Sequence, residues 1–253
     1  MEKVFKLFEF NEYVQISEAG TSAERQETGL ITSIKNAVKA AGGPIKMITQ
    51  GVTLNGITDA SKYTGRTAGG NEPLTDVVIY MDKKEVNVSM KGESAPSLAG
   101  GGFKGIENII PGLGKRFIEA VYDWATKNVI PGEKMPDVYG RIPEDVVLKL
   151  LEGNKATGGP IDAIYVGPMT VNSVYRGDIL KIEDGALMNV KDYAKRYEFF
   201  LRMRARREDQ VFDPESKSKD GTPKIYSKSA KGDSAGRIVV SNAAPKNANI
   251  IDF

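Results

Sequence analysis

Two short apolar runs separated by a pair of lysines constrain this chain more than any other feature. Asp76–Met81 and Val86–Lys91 lie on either side of Lys83-Lys84, and the side chains of a strand alternate between two faces. With the lysine pair as the turn centre, Val77 faces Met90, Ile79 faces Val88 and Met81 faces Val86, all apolar and on one face. The opposite face carries Asp76 with Lys91, Val78 with Ser89 and Tyr80 with Asn87. A slip of one residue would mix the two faces, so the pattern predicts a hairpin whose second face presents an aspartate, a serine and a lysine. Asp76 and Lys91 are expected side by side at its open end.

What chemistry such a set can serve is narrowed by what the chain lacks. Its 253 residues contain no cysteine and no histidine. Disulfides, thiolate metal sites, imidazole-based zinc sites and Ser-His or Cys-His nucleophiles are therefore excluded. Carboxylates, lysine, tyrosine and hydroxyls remain. The net charge is only +2, so attraction to nucleic acid would have to come from clustered basic residues, not from bulk charge. No apolar run approaches 18 residues and the start, Met1-Glu2-Lys3-Val4-Phe5, has no signal-like segment; a cytoplasmic protein with no membrane partner is expected.

Around the hairpin the chain alternates between helix and strand patterns. Tyr13–Ile16 reads as a short strand. Thr21-Ser22-Ala23-Glu24 reads as a capping box that opens a helix. Leu30, Ile31, Ile34 and Val38 form its apolar stripe, and Gly42-Gly43-Pro44 ends it. Ile45–Ile48 is a further apolar run, followed by a Gly-, Thr- and Asn-rich stretch up to Pro73. Helices are expected over Gly114–Val129 and Pro143–Glu152, strands over Asp162–Val166 and Asp178–Ile182, and a long basic amphipathic helix over Val190–Arg207. The composition turns polar from Asp213, where Lys224–Ser227 and Arg237–Val240 could pair as a hairpin. The expected organisation is an α/β (α+β) core over 1–212, with its motif-bearing part in 21–105 and a helical, basic part in 106–212, followed by a polar C-terminal extension over 213–253.

A carboxylate at a strand start can hold Mg2+ through hard oxygen ligation. A neighbouring lysine can orient a water and stabilise charge on a phosphate in flight. The pattern Asp76…Ser89-Met90-Lys91, with Pro73 just upstream, resembles the PD-(D/E)xK nuclease superfamily. There the hairpin carries an Asp, then a Glu or Asp, then a Lys after one intervening residue, and a preceding helix supplies a Glu. The resemblance implies a restriction-endonuclease-like central mixed sheet flanked by helices, and Mg2+- or Mn2+-dependent hydrolysis of DNA phosphodiester bonds. Asp76 is then the main metal ligand, Lys91 the catalytic lysine and Ser89 the degenerate second position. Glu27 stands among the apolar stripe of its helix and is expected to be the helix glutamate. Glu93 is a substitute ligand just beyond the strand. The departure is Ser89, a neutral hydroxyl where the family usually has a carboxylate.

Two further features bear on DNA. The loop from Gly92 ends in Gly102-Phe103-Lys104-Gly105, where backbone amides and Lys104 could meet a phosphate. Lys195, Arg196, Arg202, Arg204, Arg206 and Arg207 could make salt-sensitive phosphate contacts, although Arg202, Arg204 and Arg206 alternate by two and fit an extended segment as well as a helix. The interleaved Tyr193, Tyr197, Phe199 and Phe200 fit a buried stripe better than a stacking platform. The carboxylates Glu133, Asp137, Glu144 and Asp145 read as turn and first-turn residues. The terminal Ile250-Ile251-Asp252-Phe253 reads as an acidic-aromatic end that could dock into a partner's groove. Two alternatives from other classes stand beside the nuclease: a phage head or neck component, assembling as a homo-oligomer or with other virion proteins, and a module that binds DNA without cutting it.

Overall fold

The computed structural model describes residues 22–67, 72–93, 97–98, 102–204, 211–216 and 237–253. The strand expected at Tyr13–Ile16, the capping role of Thr21, the hairpin partner Lys224–Ser227, and Arg206 and Arg207 lie outside them. Helix α1 (Ser22–Ala41) packs on a sheet of β1 (Ile45–Ile48), β2 (Thr53–Lys62), β3 (Val77–Met81), β4 (Lys84–Gly92), β7 (Ala163–Gly167), β8 (Ser173–Arg176), β9 (Ile179–Ile182) and β10 (Ala186–Asn189). Among the described residues these eight strands run in the order β10-β7-β4-β3-β2-β1-β9-β8. β2, β3 and β4 are antiparallel, whereas β4 and β7 are parallel, which makes the sheet mixed. The α/β class holds. A helical crossover joins β4 to β7, as a parallel pair requires: α2 (Gly102–Ile109), α3 (Leu113–Asn128) and α4 (Glu144–Glu152) lie within it.

The apolar stripe of α1 does what its spacing predicts. Leu30, Ile34 and Ala37 are buried against Val77, Ile79, Val86, Val88 and Met90 on one face of the sheet. Full burial of a leucine or isoleucine side chain contributes about 2 kcal/mol, so this stripe fixes α1 on the sheet. The helix ends where Gly42 takes φ +67. The other sheet face gives Ile164 to a second core with Leu113, Phe117 and Val121 of α3, Leu150 and Leu151 of α4, and a second sheet. That sheet is ordered β13-β6-β11-β12-β5 among the described residues, with β5 (Ser97–Leu98), β6 (Val138–Arg141), β11 (Phe200–Arg204), β12 (Arg237–Ser241) and β13 (Asn249–Ile251).

Four expectations are corrected. Val190–Arg207 is not one helix: α5 (Val190–Arg196) ends at Tyr197, whose backbone is extended, and the chain continues as β11. The cause is the alternation itself, with Leu201 and Met203 buried and Arg202 and Arg204 on the other face. Lys104 is not in a loop but exposed on α2. The segment 213–253 is not merely an extension, since β12 pairs with β11 and β5, and β13 pairs with β6. The end of the chain docks on its own fold, the Phe253 ring lying 5.1 Å from that of Phe117.

Candidate active site

The hairpin forms, but its register differs by two residues from the expected one. Val77 pairs with Val88, Ile79 with Val86 and Met81 with Lys84, so Asp82 and Lys83 make the turn. A shift of two keeps every side chain on its expected face, and Asp76, Ser89 and Lys91 still share one. It does change the neighbours: Asp76 falls opposite Ser89, not Lys91. The Ser89 hydroxyl donates to Asp76 Oδ2 at 3.2 Å, and the Met90 amide donates to the same oxygen at 2.6 Å. Lys91, one step further out, still brings its Nζ to 3.9 Å from Asp76 Oδ2.

The approach to Asp76 is clamped from the chain around Gly158. Leu74 and Thr75 donate their amides to the carbonyls of Thr157 and Gly158 at 2.9 and 3.2 Å. The Thr75 hydroxyl adds a 2.6 Å bond to the Gly158 carbonyl. Gly158 takes φ +74, and a Cβ there would sit 2.5 Å from Pro73 Cβ, so glycine is needed for this close approach.

Asp76 lies at the end of the sheet where β2, β4 and β7 finish and β3 begins. The carboxyl ends of parallel strands are where open α/β sheets commonly hold ligands. The second turn of α1 closes over that end. Glu27 is buried, and Lys62, the last residue of β2, reaches its Oε2 at 3.0 Å. This oxygen is shielded from solvent, and among the described residues the Lys62 ammonium is its partner. Burial pushes the Asp76 carboxyl above its ordinary range. The Lys91 charge, the Met90 amide and the Ser89 hydroxyl pull it down, the Glu27 charge pushes it up, and the upward effects prevail. The hydrogen bond to Glu27, together with the charges of Glu27, Glu24 and Asp76, raises the pKa of Lys62 against the smaller effect of burial.

Two residues of this site were not singled out from the sequence. Lys62 lies in β2, whose buried residues Leu54, Ile57 and Ala60 are spaced by three. A β-bulge breaks the alternation that would have marked a strand. Gln26 is almost fully buried, and its Nε2 donates to the carbonyls of Lys91, Gly167 and Pro168 at 3.2, 2.9 and 3.0 Å. It ties α1 to the ends of β4 and β7 beneath Lys91. Gln26→Leu is expected to cost about 1–3 kcal/mol, because buried carbonyls lose their donor; urea denaturation measures it.

The other expected site residues do not join this group. Glu93 is exposed, and its charge bears on Tyr165, whose buried phenol is pushed up to about 12 mainly by desolvation. Arg202 is engaged by Asp137, its Nε donating at 2.9 Å, and lies over the Tyr139 ring. Lys195, Arg196 and Arg204 are exposed. Tyr193, Phe199 and Phe200 are buried core residues, whereas Tyr197, expected to be buried with them, is exposed. Among the described residues no three acidic side chains converge as a metal-holding group, so the acidic part of the site is the Asp76 and Glu27 pair. No helix of the described residues is long and apolar enough to cross a membrane. No family model, curated protein or solved structure matches the chain.

Proposed function

We propose that the chain is a Mg2+- or Mn2+-dependent deoxyribonuclease of PD-(D/E)xK type, built on a restriction-endonuclease-like core. The observation that carries this reading is the convergence, at one end of the sheet, of Asp76, Lys91 at 3.9 Å and Glu27 from α1. For the fold, support comes from a mixed sheet with α1 on one face and helices within the crossover behind it.

The donor set suits a divalent cation. The charge of Glu27 adds to the cost of ionising the buried Asp76, and one buried oxygen of Glu27 is met by the Lys62 ammonium. Asp76 and Glu27 are the hard oxygen ligands such an ion prefers. Bound there, Mg2+ would supply Lewis-acid stabilisation of the phosphate and a more acidic water. The Ser89 hydroxyl spends its proton on Asp76, which makes it a support that orients the aspartate. Lys91 offers a fixed positive charge to the phosphodiester as negative charge grows on it. Backbone contacts from Lys104, Lys195, Arg196 and Arg204 would add sequence-independent DNA affinity.

The test is cleavage of supercoiled and linear DNA by the purified chain in Mg2+, Mn2+ or EDTA. Wild type is expected to cut only with a metal, and Lys91→Ala to lose roughly a hundredfold or more in rate. Undiminished cleavage by Lys91→Ala would remove the lysine from the mechanism. The serine at position 89 favours a second reading, a virion assembly protein that keeps the architecture without turnover. An inert wild type that forms rings or joins particles selects it, and an inert wild type with strong, salt-sensitive DNA binding selects a binding module.

A further inference from the structure

The Lys62–Glu27 pair is lopsided. The glutamate side chain is 11% exposed, whereas the lysine side chain is 59% exposed. A buried carboxylate needs a counter-charge, and here the counter-charge is delivered by a flexible arm from the solvent side. Its ammonium lies 3.0 Å from the shielded Oε2 of Glu27, and the charges of Glu24 and Asp76 act on it as well. An ammonium is a compact point charge on a mobile stem, and it cannot share one carboxylate oxygen with a divalent cation without strong repulsion. On the nuclease reading above, on which this inference rests, Glu27 has two competing partners.

We propose that Lys62 is a resident counter-ion, holding the Glu27 carboxylate while no metal is bound and giving it up when a divalent cation enters between Glu27 and Asp76. No bond is made or broken in this exchange: one cation replaces another, and the lysine swings into solvent. Holding Glu27 in place without metal keeps α1 docked, and the release of Lys62 is a cost subtracted from metal affinity. Removing the lysine should therefore tighten metal binding, the reverse of what removing a supporting residue does.

Calorimetric titration of the full chain with Mn2+ tests this, using wild type, Lys62→Gln, Lys62→Arg and, as a control that binding is at this site, Asp76→Asn. Lys62→Gln is expected to bind Mn2+ roughly three- to tenfold more tightly, a range set by the strength of partly exposed ion pairs. Lys62→Arg, whose planar fork grips a carboxylate through two hydrogen bonds, should bind it more weakly than wild type. This order supports the exchange, and if Lys62→Gln fails to fold, the arginine variant against wild type decides alone. Equal affinity in all three, or weaker binding by Lys62→Gln, overturns the exchange and leaves the metal site standing. Absence of Mn2+ binding in every variant overturns both. Binding unchanged by Asp76→Asn shows that the ion sits elsewhere, which overturns the exchange too.

Discussion

Asp76→Asn is expected to abolish metal-dependent DNA cleavage, by roughly a thousandfold or more, while leaving the protein at least as stable as wild type at pH 7. The loss follows from removing the principal hard ligand of an ion that would contribute several kcal/mol to transition-state stabilisation, at about 1.4 kcal/mol per tenfold. The stability half follows from burial. The Asp76 carboxyl titrates above its ordinary value of 3.8 because desolvation outweighs Lys91, the Met90 amide and the Ser89 hydroxyl. As pH rises through 3.8 the unfolded chain releases this proton first, and the folded protein loses stability until its own, higher pKa is passed. At pH 7 the whole penalty is in force; below pH 3.8 it is gone. An asparagine carries no such penalty, and its carbonyl oxygen can still accept the Met90 amide. Denaturation midpoints of the two proteins should therefore differ more at pH 7 than at pH 4. A marked destabilisation of Asp76→Asn at neutral pH would show that the Lys91 pairing, not desolvation, governs this aspartate.

Parity explains why so much of this site was legible in the sequence. An error of two residues in the hairpin register left Asp76, Ser89 and Lys91 on one face, where an error of one would have scattered them. Glu27 was legible for a similar reason, being a carboxylate on the apolar side of a regular helix. The strand β2 was hidden because a bulge gives its buried residues a spacing of three, and with it went Lys62. Gln26 was hidden because nothing local marks a glutamine whose partners are carbonyls 65 to 142 residues away. The split of Val190–Arg207 turned on Leu201 and Met203, whose alternation is a strand signal overlaid on a plausible helical stripe. The second sheet is assembled from β5, β6, β11, β12 and β13, distant in sequence and short, and such pairings leave little trace in any one window.

Ser89 is the neutral position beside Asp76, and placing a carboxylate there has a large and two-sided expected effect. It is fully buried in β4 between Asp76 on one side and Ile164 of β7 on the other. Ser89→Asp replaces a hydroxyl that donates to Asp76 by a second carboxylate pressed against it. Without metal this is a buried charge lacking a partner, and the cost is expected to be about 3–5 kcal/mol. With metal the same group becomes a third oxygen ligand beside Asp76 and Glu27, and affinity for Mn2+ is expected to rise roughly tenfold or more. The melting temperature of Ser89→Asp should thus be far below wild type in EDTA and should recover more than wild type does as Mn2+ is added, in line with linkage between binding and folding. Ser89→Ala provides the contrast: it loses a single hydrogen bond, worth about 1 kcal/mol, and keeps its cleavage rate within about tenfold, because the hydroxyl supports Asp76 without holding the ion. A Ser89→Asp protein that is destabilised in EDTA yet gains no affinity for Mn2+ would show that position 89 does not face the cation. The lone pair of carboxylates at Asp76 and Glu27 would then be the whole acidic site.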